Sequence, residues 1–380
     1  MADHTPRQPP PNPAWRAEAL ACLARCPGTL WLAYSGGGDS SVLLHLVAHS
    51  PLAERTVAVH VHHGLQGEAD AWAIHCRRQA HGWGVGFRLL KVEVPSGTGQ
   101  GIEGAARSAR YRALGGLLGP DDALVTAHHR DDQAETLLLR LLRGAGPTGL
   151  AAMAEARPLA RGQLLRPLLP VPRGELVAYA AQVGLVAVAD PSNAALHFDR
   201  NYLRHRVIPP LAARWPQWSR TAARAAVLLA ETNALLAELA QEDLVRCRTP
   251  RPDALALAPL AALSAPRRRL LVRHWLAGLG LPPPGHGHLA ALDRDVNPEV
   301  HGLHLQWPGG RLRSFGGHVY AVAPSPGQDT PWPDECWPCT LDAQGGLAVA
   351  LPPALGVLTG HPCSGKGLAR AKVAAAAARG

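Results

Sequence analysis

The stretch that decides the fold is T-L-W-L-A-Y-S-G-G-G-D-S-S-V-L-L-H-L, which runs from 29 to 46 in a chain of 380 residues. Its apolar first third predicts a buried strand, and its apolar last third predicts a helix. The glycines between them let backbone N–H groups approach a ligand closely, and the serines add hydroxyl donors. Because a helix N-terminus carries a positive dipole end, this unit predicts a phosphate site. The candidate phosphate-binding residues are Ser35, Gly36, Gly37, Gly38, Asp39 and Ser40. The alternative is an ordinary tight turn with Asp39 or Ser40 as the helix cap.

The same alternation of strand and helix continues along the chain. Strands are predicted at 29–34, 56–62, 87–94 and 123–129, and helices at 68–82, 102–119, 131–144 and 173–183. Helices of this length between strands predict an α/β fold with a parallel sheet covered on both faces. We expect an N-terminal extension and helix at 1–27, the α/β domain at 28–215, a helical middle domain at 216–325 and a small, apparently truncated C-terminal domain at 326–380.

Composition narrows the class of partner. The chain has 38 basic and 29 acidic residues and a formal net charge of +9, which makes a polyanionic partner the first expectation. Its seven cysteines are scattered, and the N-terminus has no apolar signal core, which argues against a disulfide-stapled secreted protein. No apolar run is long enough to cross a membrane. We therefore expect a cytoplasmic protein without a membrane partner.

A second cluster of reactive residues lies at the end of the predicted strand 123–129 and the start of the next helix. It contains His128, His129, Asp131, Asp132 and Glu135. Ligands of open parallel sheets sit at the carboxyl ends of strands, so this cluster and the glycine loop should share one edge of the sheet. Acids three or four residues apart share a helix face and could hold Mg²⁺ or an ammonium group. The alternative is that they only complement the helix dipole.

Taken together, these motifs resemble those of a known family. S-G-G-G-D-S at 35–40 resembles the PP-loop with which the ATP pyrophosphatase superfamily holds ATP. H-H-R-D-D-Q-A-E-T at 128–136, followed by L-L-R-G-A-G at 141–146, is similar to the pattern of tRNA(Ile)-lysidine synthetases. Further similar segments occur in order at 62–65, 103–111, 166–169, 190–193 and 200–209, so the resemblance covers residues 28 to 215. It implies that residues 28–215 form a PP-loop, adenine nucleotide alpha hydrolase-like catalytic domain that binds ATP, and that the helical middle domain at 216–325 binds tRNA.

The resemblance also implies a reaction. ATP adenylates the C2 oxygen of the wobble cytidine in tRNA(Ile) with a CAU anticodon, and free L-lysine then displaces AMP. ATP and Mg²⁺ are therefore expected, with Asp39 and Asp131 near the phosphates or the metal ion. Asp132 and Glu135 are expected to face lysine, and His128 or an aspartate to take the proton from its ε-amine.

Arginines complete the candidate site. A guanidinium group binds phosphate with two parallel hydrogen bonds, which suits ATP phosphates or a tRNA backbone. The candidates are Arg107, Arg110, Arg143, Arg200 and Arg204. Each could instead cover apolar surface or pair with an acid.

Other interpretations stay open. A PP-loop tRNA thiolase would need cysteines near the sheet edge, where the chain offers Cys76. A catalytically inactive tRNA-binding homologue is favoured by the C-terminal part, which departs from the family pattern, and disfavoured by the intact motifs at 35–40 and 128–136. Cys336, Cys339, His361 and Cys363 could ligate zinc, although their spacing is irregular. The oligomeric state is open, with a homodimer among the options.

Overall fold

The computed structural model describes residues 13–62, 64, 67–93, 101–188, 195–296 and 303–324, and the backbone of 339–341, 347–350 and 357–360. The segment 190–193 and the side chains of the four zinc candidates, 336, 339, 361 and 363, lie outside the described residues. The chain forms two compact units, Met1–Leu239 and Ala240–Gly380. Each unit is described separately below.

A six-stranded sheet forms the centre of the first unit. The strands are β1 (Leu30–Ala33), β2 (Thr56–His62), β3 (Gly86–Lys91), β4 (Ala123–Val125), β5 (Ala156–Leu159) and β6 (Gly162–Leu165). They are ordered β3-β2-β1-β4-β6-β5, and every neighbouring pair is parallel except β5 with β6. The predicted α/β fold is therefore confirmed. The antiparallel edge strand β5 was not predicted, and its Pro158 is tolerated because an edge position needs no ladder hydrogen bond there.

Helices cover both faces of this sheet. They are α1 (Ala14–Ala24), α2 (Gly38–Ala48), α3 (Ala69–Gly82), α4 (Gly101–Gly115), α5 (Arg130–Leu142), α6 (Pro147–Leu150), α7 (Arg173–Gln182), α8 (Asp199–Tyr202) and α9 (Ile208–Arg214), with a π-helical turn at Leu203–Val207. Alternate residues of β1 point to opposite layers. Leu30 and Leu32 pack with the core that includes α1, α2 and α7, whereas Trp31 packs with the core that includes α4. Burial of each such leucine stabilises the fold by about 1.5–3 kcal/mol.

The order of the strands places the candidate site. The chain proceeds from β1 through β2 to β3 on one side of the sheet, and β4 returns to the other side of β1, where Leu30 pairs with both Thr56 and Ala123. β1 and β4 are thus neighbours whose following segments diverge. Such a switch point opens a crevice at the carboxyl ends of the strands.

The helical region predicted to follow the α/β domain is present, and the second unit also contains strands that were not predicted. The long helix α10 (Trp218–Cys247) begins in the first unit and ends in the second, where it is followed by α11 (Leu257–Ala262), α12 (Ala265–Gly278) and α13 (His286–Asp295). Four antiparallel strands accompany them: β7 (Ala254–Ala256), β8 (His304–Trp307), β9 (Gly310–Phe315) and β10 (His318–Val322), ordered β7-β10-β9-β8. Their inward residues, such as Leu312 and Val319, join helix residues such as Trp275 in one core. These strands are short and lie in a sequence rich in proline and glycine, so the sequence pattern does not distinguish them from loops.

A further antiparallel sheet contains β11 (Cys339–Leu341), β12 (Leu347–Ala350) and β13 (Val357–Gly360). Among the described residues, no helix has the length and apolar character needed to cross a membrane. The four-domain division expected from the sequence stays a prediction.

Candidate active site

The glycine loop joins the end of β1 to the start of α2. Gly36 has φ +81°, a conformation that L side chains rarely adopt, and a Cβ atom there would lie 2.9 Å from Cys76 Sγ. Ser40 Oγ donates to the Gly37 carbonyl at 2.9 Å, and it lies 3.1 Å from Ser35 Oγ. Gly37 N–H donates to Ser35 Oγ at 3.3 Å, and Ser41 N–H donates to the Gly37 carbonyl at 3.0 Å. The N–H groups of Gly38, Asp39 and Ser40 precede the first intrahelical bond, which is where a helix can bind an anion.

Residues outside the sequence motifs hold the glycine loop in place through hydrogen bonds. Tyr34 Oη donates to Gln79 Oε1 on α3, and Gln79 Nε2 donates to the Val186 carbonyl at 3.4 Å. Val188 N–H donates to the Gly36 carbonyl at 2.9 Å. The chain after α7 is therefore bonded directly to the phosphate-binding loop.

The start of α5 is fixed by His129, which stood in the sequence motif without an assigned role. Its Nδ1 accepts a hydrogen bond from Asp132 N–H at 3.3 Å, and Asp132 Oδ2 accepts one from His129 N–H at 3.0 Å. This reciprocal pair is a capping box with histidine at the N-cap. A histidine followed three residues later by an aspartate at a helix start was the signal that could have identified it.

His129 also joins the two halves of the site. Its Nε2 lies 3.5 Å from Asp39 Oδ2 on α2 and 3.4 Å from Asp132 Oδ2 on α5. Since Nδ1 accepts from the backbone, Nε2 carries the proton of the neutral ring. Burial alone would lower the pKa of His129, but the hydrogen bond with Asp39 and the charges of Asp132, Asp39 and Asp131 raise it above its ordinary value. The loop and the α5 cluster thus share one edge of the sheet, as expected.

Asp132 and Glu135 are paired with two arginines from the α8 region. Glu135 is 4% exposed, and its Oε2 accepts from Arg200 Nε at 2.8 Å and from Arg204 Nη2 at 2.8 Å. Glu135 Oε1 accepts from Arg204 Nε at 2.9 Å. Asp132 Oδ1 accepts from Arg200 at 2.9 Å and from Arg204 at 3.3 Å. We call Asp132, Glu135, Arg200 and Arg204 the rim cluster.

These contacts set the charges of the rim cluster. Burial alone would raise the pKa of Asp132, but His129, Arg200 and His128 hold it below its usual range. Burial opposes the charge of Arg204, yet its hydrogen bonds with Glu135 keep the pKa above the ordinary value. Asp132 and Arg204 are therefore charged near neutral pH. The structure places Arg200 and Arg204 against acids, so their contact with phosphate stays a prediction, as does the contact of Asp132 and Glu135 with lysine.

His128 lies at the end of the strand segment, with its Nδ1 2.8 Å from Thr126 Oγ1. Burial, together with the positive charges of Arg166, Arg200 and Arg107, outweighs Asp132 and lowers the pKa of His128 to about 3. An imidazole with so low a pKa is a weak proton acceptor. The structure therefore gives no support to His128 as the base for lysine.

The other candidate arginines lie in different settings. Arg107 and Arg110 flank the ring of Tyr111 on α4, with guanidinium-to-centroid distances of 5.1 and 5.8 Å. Arg107 is close enough to His128 to influence its charge. Arg143 pairs with Asp199 at 2.7 Å on an exposed surface. Contact of Arg107, Arg110 and Arg143 with phosphate stays a prediction.

Asp39 and Asp131 offer partly accessible carboxylates at the same edge. Their side chains are 40% and 28% exposed, and Asp131 Oδ2 accepts from Arg173 N–H at 2.9 Å. No group of three or more His, Cys, Asp or Glu residues that could hold a metal ion occurs in the described part of the chain. One or two carboxylates beside a phosphate-binding loop nevertheless fit Mg²⁺, which proteins hold largely through substrate phosphates and water.

Cys76 bears on the thiolase alternative. It lies beneath Gly36 and is fully buried. Burial raises the pKa of its thiol to about 12, so it is protonated near neutral pH. A thiolase needs a reactive thiolate or a sulfur-carrying cluster at the site. This cysteine does not provide one.

Fold and site together define a PP-loop protein. Residues 18–211 match the PP-loop domain family, and residues 255–320 match the family described as the TilS substrate binding domain. The chain is 50% identical over 335 residues to the tRNA(Ile)-lysidine synthase of Alkalilimnicola ehrlichii, which covers 86% of this chain and 74% of that relative. The chain belongs to the tRNA(Ile)-lysidine synthase family, as its motifs predicted.

Two further relatives with the same name give shorter alignments. The protein from Pseudomonas syringae is 49% identical over 286 residues, which cover 72% of this chain and 63% of the relative. The protein from Pseudomonas aeruginosa is 51% identical over 268 residues, which cover 67% of this chain and 60% of the relative. The chain thus spans about two thirds of the length of these relatives.

Proposed function

We propose that this chain is a ligase that joins L-lysine to C2 of the wobble cytidine of tRNA(Ile) with a CAU anticodon. The C2 oxygen attacks the α-phosphorus of ATP and pyrophosphate leaves, which gives an adenylated tRNA. The ε-amine of lysine then attacks C2, the bond to oxygen breaks, AMP leaves, and the amine gives up a proton. The relatives are named for this activity.

The observation that carries the proposal is the contact between the two halves of the site. Asp39 of the glycine loop and Asp132 of the α5 cluster both lie within 3.5 Å of His129 Nε2. ATP phosphates on the loop would therefore lie beside the carboxylates that suit a cationic substrate. Backbone N–H groups of the loop would bind the developing charge of pyrophosphate without reorganisation.

Lysine competes with Arg200 and Arg204 for the carboxylates of the rim cluster. Both arginines suit phosphate as well as carboxylate, because a guanidinium fork matches either partner. We expect that they turn toward phosphate when ATP and tRNA bind, which frees Glu135 and Asp132 for the lysine ammonium groups. Lysine should accordingly bind more tightly in the presence of ATP.

Mg²⁺ would neutralise charge on the phosphates when it is bound. Asp39 and Asp131 are the residues that would hold it, since their carboxylates flank the loop. His129 orients Asp39 in either case. The low pKa of His128 argues that another group accepts the proton from lysine.

The test is incubation of the purified chain with ATP, MgCl₂, labelled lysine and a CAU-anticodon tRNA(Ile) transcript. Label in RNA and release of AMP are measured, with Asp132→Ala as the site variant and Glu175→Ala, which alters an exposed acid on α7, as the matched control. We expect ATP-dependent label that is lost in the first variant and kept in the second. A transcript with a UAU anticodon, which lacks the wobble cytidine, tests whether that base is the acceptor of lysine.

Other outcomes separate the alternatives. Release of AMP without lysine in RNA would contradict lysidine synthesis and indicate a different nucleophile. Binding of tRNA with no turnover of ATP would identify an inactive tRNA-binding homologue. A homodimer and a cytoplasmic location remain predictions, and sedimentation of the purified chain measures the first.

A further inference from the structure

A glutamine in the middle of α3 joins the start of the phosphate-binding loop to the chain that follows α7. Gln79 Oε1 accepts a hydrogen bond from Tyr34 Oη, and Gln79 Nε2 donates to the Val186 carbonyl at 3.4 Å. A carbonyl oxygen can only accept, so the nitrogen of the amide must face Val186 and its oxygen must face Tyr34. The direction of both hydrogen bonds is therefore fixed.

Tyr34 is the buried residue immediately before the loop. Burial raises the pKa of its phenol to about 12, so the hydroxyl keeps its proton near neutral pH and donates to Gln79. The same hydroxyl lies 3.4 Å from Ser41 Oγ, and Ser41 is the residue immediately after the loop. Gln79 thus holds a side chain that contacts both ends of the loop.

The chain after α7 fixes one peptide group of the loop. Val188 N–H donates to the Gly36 carbonyl at 2.9 Å, and Ser41 Oγ donates to the same carbonyl at 3.4 Å. Because the C=O and N–H of a trans peptide point in opposite directions, this carbonyl turns the Gly37 N–H away from Val188. The Gly37 N–H meets Ser35 Oγ at 3.3 Å. On the side of Ser35 the peptide therefore presents an N–H rather than a carbonyl oxygen.

The loop also lies directly against α3. A Cβ atom at Gly36 would be 2.9 Å from Cys76 Sγ, 3.3 Å from Val188 Cγ2 and 3.8 Å from His75 Cδ2. Gln79 lies three and four residues after Cys76 and His75, so the three share one face of the helix. Gly36 can shift toward this side only if α3 or the chain at Val188 moves. Gln79 joins those two elements through its bond to Val186.

We propose that Gln79 is a positioning residue for ATP, because it holds the loop in the conformation that binds phosphate. A phosphate oxygen is attracted by a backbone N–H and repelled by a carbonyl oxygen, so the orientation of the Gly36–Gly37 peptide bears on affinity. Loss of the Gln79 bonds would free both the Tyr34 hydroxyl and the chain that holds this peptide. The proposal rests on the proposed function in one respect, since ATP is taken to be the ligand of the loop.

The test is the dissociation constant for ATP, measured by equilibrium titration of the whole chain with ATP and MgCl₂ in the absence of lysine and tRNA. Gln79→Met keeps the length of the side chain and removes both hydrogen bonds, and Tyr34→Phe removes the hydroxyl. Each change should raise the Kd for ATP roughly fivefold, the scale of one hydrogen bond. The double variant should bind about as well as either single variant, because residues of one network do not act additively.

A matched control and a melting curve separate positioning from stability. Gln241→Met removes an exposed glutamine of α10 whose Oε1 lies 3.1 Å from His274 Nε2, and it should leave the Kd for ATP unchanged. A role of Gln79 in stability alone would lower the melting temperature and leave the Kd unchanged. An unchanged Kd in folded Gln79→Met would therefore overturn the proposal, and so would additive effects in the double variant.

Lysine incorporation separates this proposal from the proposed function. Gln79→Met should raise the KM for ATP and leave kcat and the KM for lysine unchanged. If the unaltered chain makes no lysidine but its affinity for ATP depends on Gln79, the proposed function fails and the positioning role stands. If lysidine is made and Gln79→Met binds ATP normally, the proposed function stands and the positioning role is overturned.

Discussion

Each of the two units contains a half-buried cluster of arginine and acid, and the two clusters differ in where the arginines donate. In the rim cluster, Arg204 donates to the carboxylates of Glu135 and Asp132. In the second unit, Arg268 donates to Asp293 and also to the backbone carbonyls of Leu260, Ala261 and Leu263. The chemistry of the pairs is the same, but the surroundings are not.

The difference separates architecture from function. Arg268 satisfies carbonyls at the end of α11, of which that of Leu260 also accepts from Leu263 N–H at 3.3 Å. Moving Arg268 would remove the side-chain donor of the Ala261 and Leu263 carbonyls. The donors of Arg204 go to side chains that lie beside a phosphate-binding loop, and a ligand can replace those partners. An ion pair at a strand's carboxyl end is therefore a candidate for chemistry, whereas one that closes a helix end stabilises the fold.

The largest loss of activity is expected from Glu135→Gln, which disrupts the rim cluster. The change removes the charge that Arg200 and Arg204 share, so both side chains shift by an ångström or more. A displacement of that size costs about 100-fold in activity. We expect lysine incorporation to fall by that factor, whereas Glu175→Gln on α7 should leave it unchanged. Normal activity in Glu135→Gln would show that the rim cluster does not position substrates.

Arg268→Met tests the second cluster through stability. The variant removes the side-chain donor of carbonyls at the end of α11 and one of the two arginine partners of Asp293, which keeps its bond from Arg269 at 2.6 Å. This should lower the free energy of unfolding by about 2–3 kcal/mol. Urea denaturation measures this change, with Arg273→Met as the exposed control. Turnover at saturating substrate should be unaffected. A lower kcat in folded Arg268→Met would contradict the purely architectural role.

Two glycines in the phosphate-binding loop provide a matched pair. Gly36→Ala places a side chain at φ +81° and against Cys76 Sγ, at a strain of about 1–3 kcal/mol. A Cβ at Gly38 would meet no atom within 4 Å. We expect Gly36→Ala to raise the KM for ATP and to lower the melting temperature. Gly38→Ala introduces no clash with a neighbouring atom, so we expect both values to stay unchanged. Equal effects of the two would mean that close approach of ATP, rather than backbone conformation, requires glycine.

The smallest expected effect is a pH dependence of folding stability that arises from a histidine in the sheet core. His60 is buried, with Nδ1 2.9 Å from the Tyr34 carbonyl, and burial lowers its pKa below 6.5. The folded state therefore holds His60 neutral, so its contribution to stability is present above pH 6.5 and is lost as pH falls below that value. The loss is at most about 1.4 kcal/mol per pH unit. Urea denaturation between pH 5.5 and 7.5 should show a shallower pH dependence of stability for His60→Gln than for the unaltered chain.

The sequence predicted most of the first unit. The strand 56–62 has the predicted bounds, and the helices α3, α4, α5 and α7 begin within one residue of their predicted starts at 68, 102, 131 and 173. Alternating apolar runs, glycines and capping residues carry these signals within short windows. β5 and β6 were not predicted, because each is four residues long and contains no periodic pattern that distinguishes it from a loop.

The second unit was less predictable for the same reason. Its helices repeat alanine and leucine at helical spacing, but its strands depend on pairing between segments that are distant from the helices in sequence. Trp307 and Leu312, for example, are buried only because β8 and β9 pair and pack against α12 and α13. No window of the sequence contains that information.

By itself the sequence determined the parallel α/β fold, the phosphate-binding loop at 35–40 and the family, because each depends on local spacing of apolar residues, glycines and acids. Only the tertiary structure decided that His129 joins Asp39 to Asp132, that Arg200 and Arg204 hold Glu135, and that Cys76 is buried under Gly36. Those relations join residues far apart along the chain. Their hydrogen bonds and charges therefore exist only after the sheet has brought the ends of β1 and β4 together.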